Sequence, residues 1–105
     1  MTDTSATSDT RWWLYILDCD GRLYTGISTD PQRRYQEHLD GGPKAAKFAR
    51  ASKQIEMKYT LEVGDRSLAL RLEYRLKQLK RVDKVAVVES QPELEALLER
   101  VGLEG

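Results

Sequence analysis

Apolar and polar positions along this chain switch repeatedly between the strand period and the helix period. Trp12–Asp18 ("WWLYILD") and Arg22–Ile27 ("RLYTGI") are short apolar-aromatic runs, the composition of strands. Asp20-Gly21 between them is a two-residue hairpin signal, because the tight turn needs residues that tolerate positive φ. Asp30-Pro31 opens a helix, since Asp accepts from free amides and Pro suits the first turn. That helix runs to about Leu39 and stops at Gly41-Gly42-Pro43. The segment "KAAKFARASK" is a basic loop or short helix, and Ile55–Val63 ("IEMKYTLEV") is a third strand ended by Gly64-Asp65. Ser67–Lys80 is the most periodic helix, with Leu68, Leu72, Leu76 and Leu79 forming one stripe. Further helices are predicted around Val82–Glu89 and Pro92–Val101, the last with Leu94, Leu97, Leu98 and Val101 inward and Gly102 as its stop. The order β-β-α-β-α-α-α predicts an α+β fold: a three-stranded antiparallel sheet flanked by helices.

The hairpin register decides which side chains meet. With a two-residue loop, Cys19 pairs with Arg22, Leu17 with Tyr24 and Tyr15 with Gly26. Side chains alternate, so Tyr15 and Tyr24 become diagonal neighbours on one face, about 7–8 Å apart. A three-residue loop would separate them. Two strand-forming aromatics on a half-buried sheet explain the pattern without a site. Gly26 beside Tyr15 reads as an open space for a ligand, because glycine inside a strand marks a bulge or a close approach. Trp12 and Trp13 fall on opposite faces. In the following helix Arg34 and His38 stand at i, i+4, on one side and one turn apart. On the later helix Glu73 lies at the edge of the leucine stripe, one turn from Ala69 and Leu76. A carboxylate there faces a cleft and holds a cation, or is a plain surface glutamate.

Composition narrows the class. A chain of 105 residues, 40% hydrophobic and 32% charged, is one soluble domain with one modest core. "MTDTSATSDT" is polar and acidic, so residues 1–10 are expected to be a disordered tail rather than a signal peptide. The chain has no run near the ~20 apolar residues of a membrane helix. One cysteine and one histidine argue against a structural zinc site, and a lone Cys19 fits a reducing cytoplasm. Cys19 as a nucleophile is disfavoured, because it sits beside the turn with no evident group to orient a histidine. The zero net charge is unevenly spread. Residues 33–84 carry 14 Lys/Arg against 7 Asp/Glu, while residues 1–32 have 2 against 5 and residues 85–105 have 1 against 5. A basic body between acidic ends suits a phosphate-bearing partner, or a set of solvated helix faces.

Together these residues resemble a GIY-YIG nuclease domain. The first motif is Trp13-Leu14-Tyr15 and the second Tyr24-Thr25-Gly26. The family's arginine-then-histidine helix matches Arg34 and His38, and its metal-binding glutamate matches Glu73 in "LRLEYRLKQLKR". The likeness covers about residues 12–88 and is greatest to small standalone bacterial proteins of this family. It implies a nuclease-like domain over residues 11–90, with residues 91–105 as a C-terminal helical extension. Trp13 and Thr25 depart from the motif letters, and the chain has no asparagine, where many family members carry a late one near the site.

The resemblance implies hydrolysis of DNA phosphodiester bonds with one Mg²⁺ or Mn²⁺ on Glu73. Arg34 would clamp the scissile phosphate, and Tyr15 would activate or orient the attacking water. Only about 0.1% of a free phenol is ionised at pH 7, so positive charge from Arg34 and the metal would favour the phenolate. His38 would relay the proton or hydrogen-bond the phenol, and Tyr24 would position water or phosphate. Lys44, Lys47, Arg50, Lys53, Arg75, Lys77, Lys80 and Arg81 would contact the nucleic-acid backbone, which gives affinity without sequence selectivity. The expected protein is thus a cytoplasmic, monomeric, structure-selective endonuclease linked to DNA repair or recombination, with room for a protein partner. The competing expectation is a catalytically weak or inactive nucleic-acid-binding module, which the missing asparagine favours and the intact tyrosines, arginine, histidine and glutamate oppose. A purely structural domain would show little affinity for DNA.

Overall fold

The structure, a computed structural model, describes residues 10–43 and 52–103. Residues 1–9 of the expected tail, and Lys44, Lys47 and Arg50 of the basic segment, lie outside the described residues. The chain forms strands β1 (Trp12–Cys19), β2 (Arg22–Ser28) and β3 (Ile55–Gly64) and helices α1 (Pro31–Asp40), α2 (Arg66–Gln78), α3 (Arg81–Ser90) and α4 (Leu94–Val101). The α+β class and the element order are those read from the sequence.

The sheet order is β2-β1-β3, antiparallel throughout. Asp20 (φ 54°) and Gly21 (φ 90°) make the two-residue turn, and the register is the expected one: Cys19 opposite Arg22, Leu17 opposite Tyr24, Tyr15 opposite Gly26. Asp20 also ties the hairpin to the entry of β3. Its carboxylate accepts from the backbone N–H of Lys53 and of Gln54, each at 2.8 Å, and those amides hold its pKa below the usual carboxylate value.

β3 carries a feature its sequence conceals. Ile55, Met57, Tyr59, Leu61 and Val63 alternate without a break, as though all faced one side. The pairing with β1 slips between Ile16 and Leu17, which face Tyr59 and Met57. The extra residue, Lys58, is a bulge that exchanges the faces of the strand. Tyr59, Leu61 and Val63 therefore join one side of the sheet, and Ile55 and Met57 the other.

The larger core lies under α2, α3 and α4: Leu14, Ile16, Tyr59, Leu72, Leu76, Val87, Leu97 and Val101. The C-terminal segment is built into this core rather than appended to it. Tyr59 donates its hydroxyl to the Pro92 carbonyl, and Gln91 Nε2 donates to the Lys58 carbonyl at 2.9 Å. Arg75 Nη1 donates to the Val101 carbonyl at 2.8 Å, at the end of α4 where carbonyls lack helical partners. α2 ends earlier than its leucine spacing predicts. Leu79 is extended (ψ 150°) and Lys80 caps α3, yet Leu79 still packs on the core, so the apolar spacing alone did not reveal the break. The other face of the sheet carries Tyr15, Leu17 and Cys19 with Tyr24, Tyr35, Ile55 and Met57, beside α1.

Candidate active site

Two tyrosines and the histidine meet on this second face. The ring centroids of Tyr15 and Tyr24 are 6.4 Å apart, those of Tyr15 and His38 6.1 Å, and those of Tyr24 and His38 5.6 Å. Tyr15 Oη lies 3.2 Å from His38 Nε2. Each residue is only 1% exposed, and the contact satisfies two buried polar groups that would otherwise be costly.

Helix α1 brings the histidine and the arginine there. Asp30 caps its first turn, accepting from the Arg33 N–H at 3.1 Å, and Pro31 follows. The Tyr35 hydroxyl donates to the Ile55 carbonyl at 2.9 Å, fastening α1 to β3. Arg34 then donates from Nη1 to Glu37 Oε1 at 2.9 Å and hydrogen-bonds the Tyr15 phenol. Tyr35 and Glu37 were not singled out from the sequence. The i, i+3 spacing of Arg34 and Glu37 was the available sign, whereas the reach of Tyr35 to β3 had none.

Arg34 favours the phenolate as expected, but burial opposes it. Burial, reinforced by Tyr24 and more weakly by Glu73, outweighs Arg34 and pushes the Tyr15 phenol up to about 12. Without a metal, Tyr15 is a neutral phenol at neutral pH, with about one molecule in 10⁵ ionised. Burial, then the charge of Arg34, pushes His38 below the ordinary histidine value against the pull of Glu37, so its imidazole is neutral at pH 7. Burial also works against the Arg34 guanidinium, but hydrogen bonds to Glu37 and Tyr15 prevail and hold it protonated.

Gly26 has a different reason from the one expected. The space beside it is not open, because the Tyr15 ring fills it. A Cβ there would stand 2.6 Å from Tyr15 Cζ and 3.1 Å from Cε1, and closer still to Oη. Glycine admits the phenol itself, not a ligand. Thr25, where the motif carries isoleucine, is 3% exposed and pairs with Ile16 on the core side, so that departure leaves the tyrosine face unchanged.

Glu73 reaches the cluster from α2. Its side chain is 21% exposed, and its charge acts on Tyr15. Lys77 Nζ lies 3.4 Å from Glu73 Oε2 and 5.8 Å from the centroid of the Tyr24 ring. Among the described residues no three His, Cys, Asp or Glu side chains gather. A cation at Glu73 would therefore have fewer than three such side chains from the described residues and would keep water in its shell. That donor set fits Mg²⁺ or Mn²⁺, which retain waters, and not a structural zinc.

The remaining basic positions divide. Arg75 is committed to the end of α4, away from the tyrosines. Lys80 and Arg81 are exposed where α2 meets α3, and Lys53 is exposed beside the hairpin turn. Cys19 is buried and its thiol is pushed up by burial, the opposite of an activated nucleophile. No helix among the described residues is long and apolar enough to cross a membrane.

Comparison with known proteins decides the family, since the GIY-YIG catalytic domain matches residues 11–85. The chain belongs to the GIY-YIG family. It is 47% identical over 90 residues to the UPF0213 protein YhbQ of Salmonella arizonae, covering 85% of this chain and 88% of that one. YhbQ of Escherichia coli O8 is 49% identical over 80 residues, 75% and 78% of the two chains. The solution structure of the UPF0213 protein BH0048 from Bacillus halodurans superposes with a TM-score of 0.51 at 35% identity, over 77% of this chain and 85% of that one. The GIY-YIG domain is of nuclease type, which implies binding of nucleic acid, and its members generally use divalent metal ions. The GIY-YIG match ends inside α3, so α4, which completes the core here, lies beyond it.

Proposed function

We propose that this chain is a cytoplasmic, metal-dependent endonuclease that hydrolyses DNA phosphodiester bonds, selecting structures such as branches, flaps or ends and serving DNA repair or recombination. The observation that carries the reading is the buried Tyr15–His38 hydrogen bond, flanked by Arg34, Tyr24 and Glu73. A core alone has no use for that set of groups.

In the Nδ1–H tautomer His38 offers a bare Nε2, and the phenol of Tyr15 donates to it. A water that donates to the Tyr15 oxygen then passes its proton to that oxygen as the phenolic proton moves to Nε2. His38 is the net base, and Tyr15 never has to exist as a free phenolate, which its pKa of about 12 disfavours. The water oxygen bonds to phosphorus, the P–O3′ bond breaks, and the leaving oxygen takes a proton from solvent. The incoming phosphate offsets the charge forming on His38. Arg34 contacts the phosphate through guanidinium N–H groups beyond those used by Glu37 and Tyr15, and Tyr24 positions the water. Glu73 would hold the divalent ion, which supplies stabilisation of charge on the phosphate and on the departing oxygen.

The test is incubation of the purified protein with labelled duplex, flap and four-way-junction DNA, with matched RNA, in Mg²⁺, Mn²⁺ or chelator. Expected is metal-dependent cutting of branched DNA that Glu73→Ala abolishes and Tyr15→Phe lowers by about 10²–10⁴-fold. Binding without cleavage in either metal overturns the enzyme and leaves a nucleic-acid-binding module. Equal cutting of RNA overturns the assignment to DNA.

A further inference from the structure

Lys77 holds a position that a backbone-contacting lysine does not need. Its ammonium is 3.4 Å from Glu73 Oε2 and also 5.8 Å from the Tyr24 ring centroid. A Glu-to-Lys pair at i, i+4 is a common surface stabiliser of helices. Here the glutamate is the carboxylate available to a cation, and the aromatic ring belongs to the site. Attraction to a ring face adds to the ion pair, and together they hold the ammonium between two groups of the cluster.

We propose that Lys77 is a positioning residue that guards the metal carboxylate: it neutralises Glu73 while no metal is bound and turns to the DNA phosphate when one binds. This rests on the assignment of Glu73 as the metal ligand. The physical ground is competition. Lys77 and a divalent ion are both drawn to the same oxygens, and two cations on one carboxylate repel each other. A displaced Lys77, half exposed on a flexible stem, remains beside Tyr24. From there it is free to meet a phosphate bound at the site. Metal and DNA binding would thereby be coupled, each favouring the other.

Mn²⁺ binding to the full chain without DNA, followed by electron paramagnetic resonance titration, tests this apart from activity. Lys77→Met is expected to tighten Mn²⁺ binding about two- to five-fold, the range of an exposed ion pair, and Lys77→Arg to leave it near the parent value. In a Tyr15→Phe background, where cutting is too slow to interfere, Mn²⁺ is expected to raise the affinity for flap DNA, and Lys77→Met to remove most of that increase. A merely structural lysine would shift the melting temperature and neither of these readings. Unchanged or weaker Mn²⁺ binding by Lys77→Met overturns the guarding role. A Glu73→Gln variant that binds Mn²⁺ as well as the parent overturns the metal assignment itself, and the guard with it.

Discussion

The two faces of the same strand are built to opposite rules. On one, Leu14 and Ile16 pack with Leu72, Leu76, Val87 and Leu97, all fully or almost fully buried, under three helices. On the other, Tyr15, Leu17 and Cys19 are buried just as deeply, yet their neighbours include Tyr24, Tyr35 and His38 as well as Ile55 and Met57, beside one short helix. The first face gains stability from apolar area. The second takes a buried imidazole and a buried phenol out of water and joins them by a hydrogen bond. Alternation along β1 thus separates stability from chemistry by one residue at every step.

The sharpest way to break this division is one substitution on each face. Tyr15→Phe keeps the ring but removes the hydroxyl. It is expected to lower cleavage by about 10²–10⁴-fold, the worth of a positioned proton-transfer group, while costing about 1–3 kcal/mol for the lost buried hydrogen bond to His38. Leu72→Ala is expected to cost about 2–5 kcal/mol of stability with cleavage per folded molecule retained. Urea unfolding beside single-turnover assays checks both. Equal effects of the two variants on both measurements would erase the distinction between the faces.

Gly26 is where the two rules touch. Gly26→Ala adds a methyl where the Tyr15 ring already lies, so the phenol must leave its present position against His38. The expected loss is about 10²-fold in cleavage, as for an ångström-scale misplacement, with the overpacking penalty of about 1–3 kcal/mol. Ser28→Ala on the same strand is expected to leave the phenol in place and serves as the control. A Gly26→Ala enzyme with parental rate would show that the position of the phenol does not matter.

How far the sequence spoke depends on how local each determinant is. The hairpin register was legible because Asp20-Gly21 admits few turn geometries, and it put Tyr15 beside Tyr24 correctly. Arg34 and His38 were legible from helical spacing. The bulge at Lys58 was not, because the apolar alternation of β3 runs through it unbroken. The partner of Glu73 was half legible. Lys77 stands four residues on, but only the docking of α2 against the sheet brings both to Tyr24. The raised pKa of Tyr15 was hidden for the same reason. Arg34 could be counted in the sequence, whereas the burial that outweighs it exists only in the fold.

The smallest effect separates the faces by pH. Both carry a buried phenol pushed up to about 12, Tyr15 on the site face and Tyr59 in the core. A raised acid favours the fold below its unfolded value near 10, and that stability disappears as the pH climbs from 10 through 12. The alkaline limb of stability therefore belongs to both faces, and Tyr15→Phe should remove only part of it. The acid limb has a different source. His38 is depressed, so its contribution is complete above about pH 6.5 and is lost as the pH falls below that value toward its folded pKa. Cleavage follows the folded imidazole: its acid break should lie below 6.5, falling about tenfold per pH unit beneath it. A pH–rate profile breaking above 6.5 would mean that the base is not the buried imidazole, and the site face would then have to be read without a proton relay.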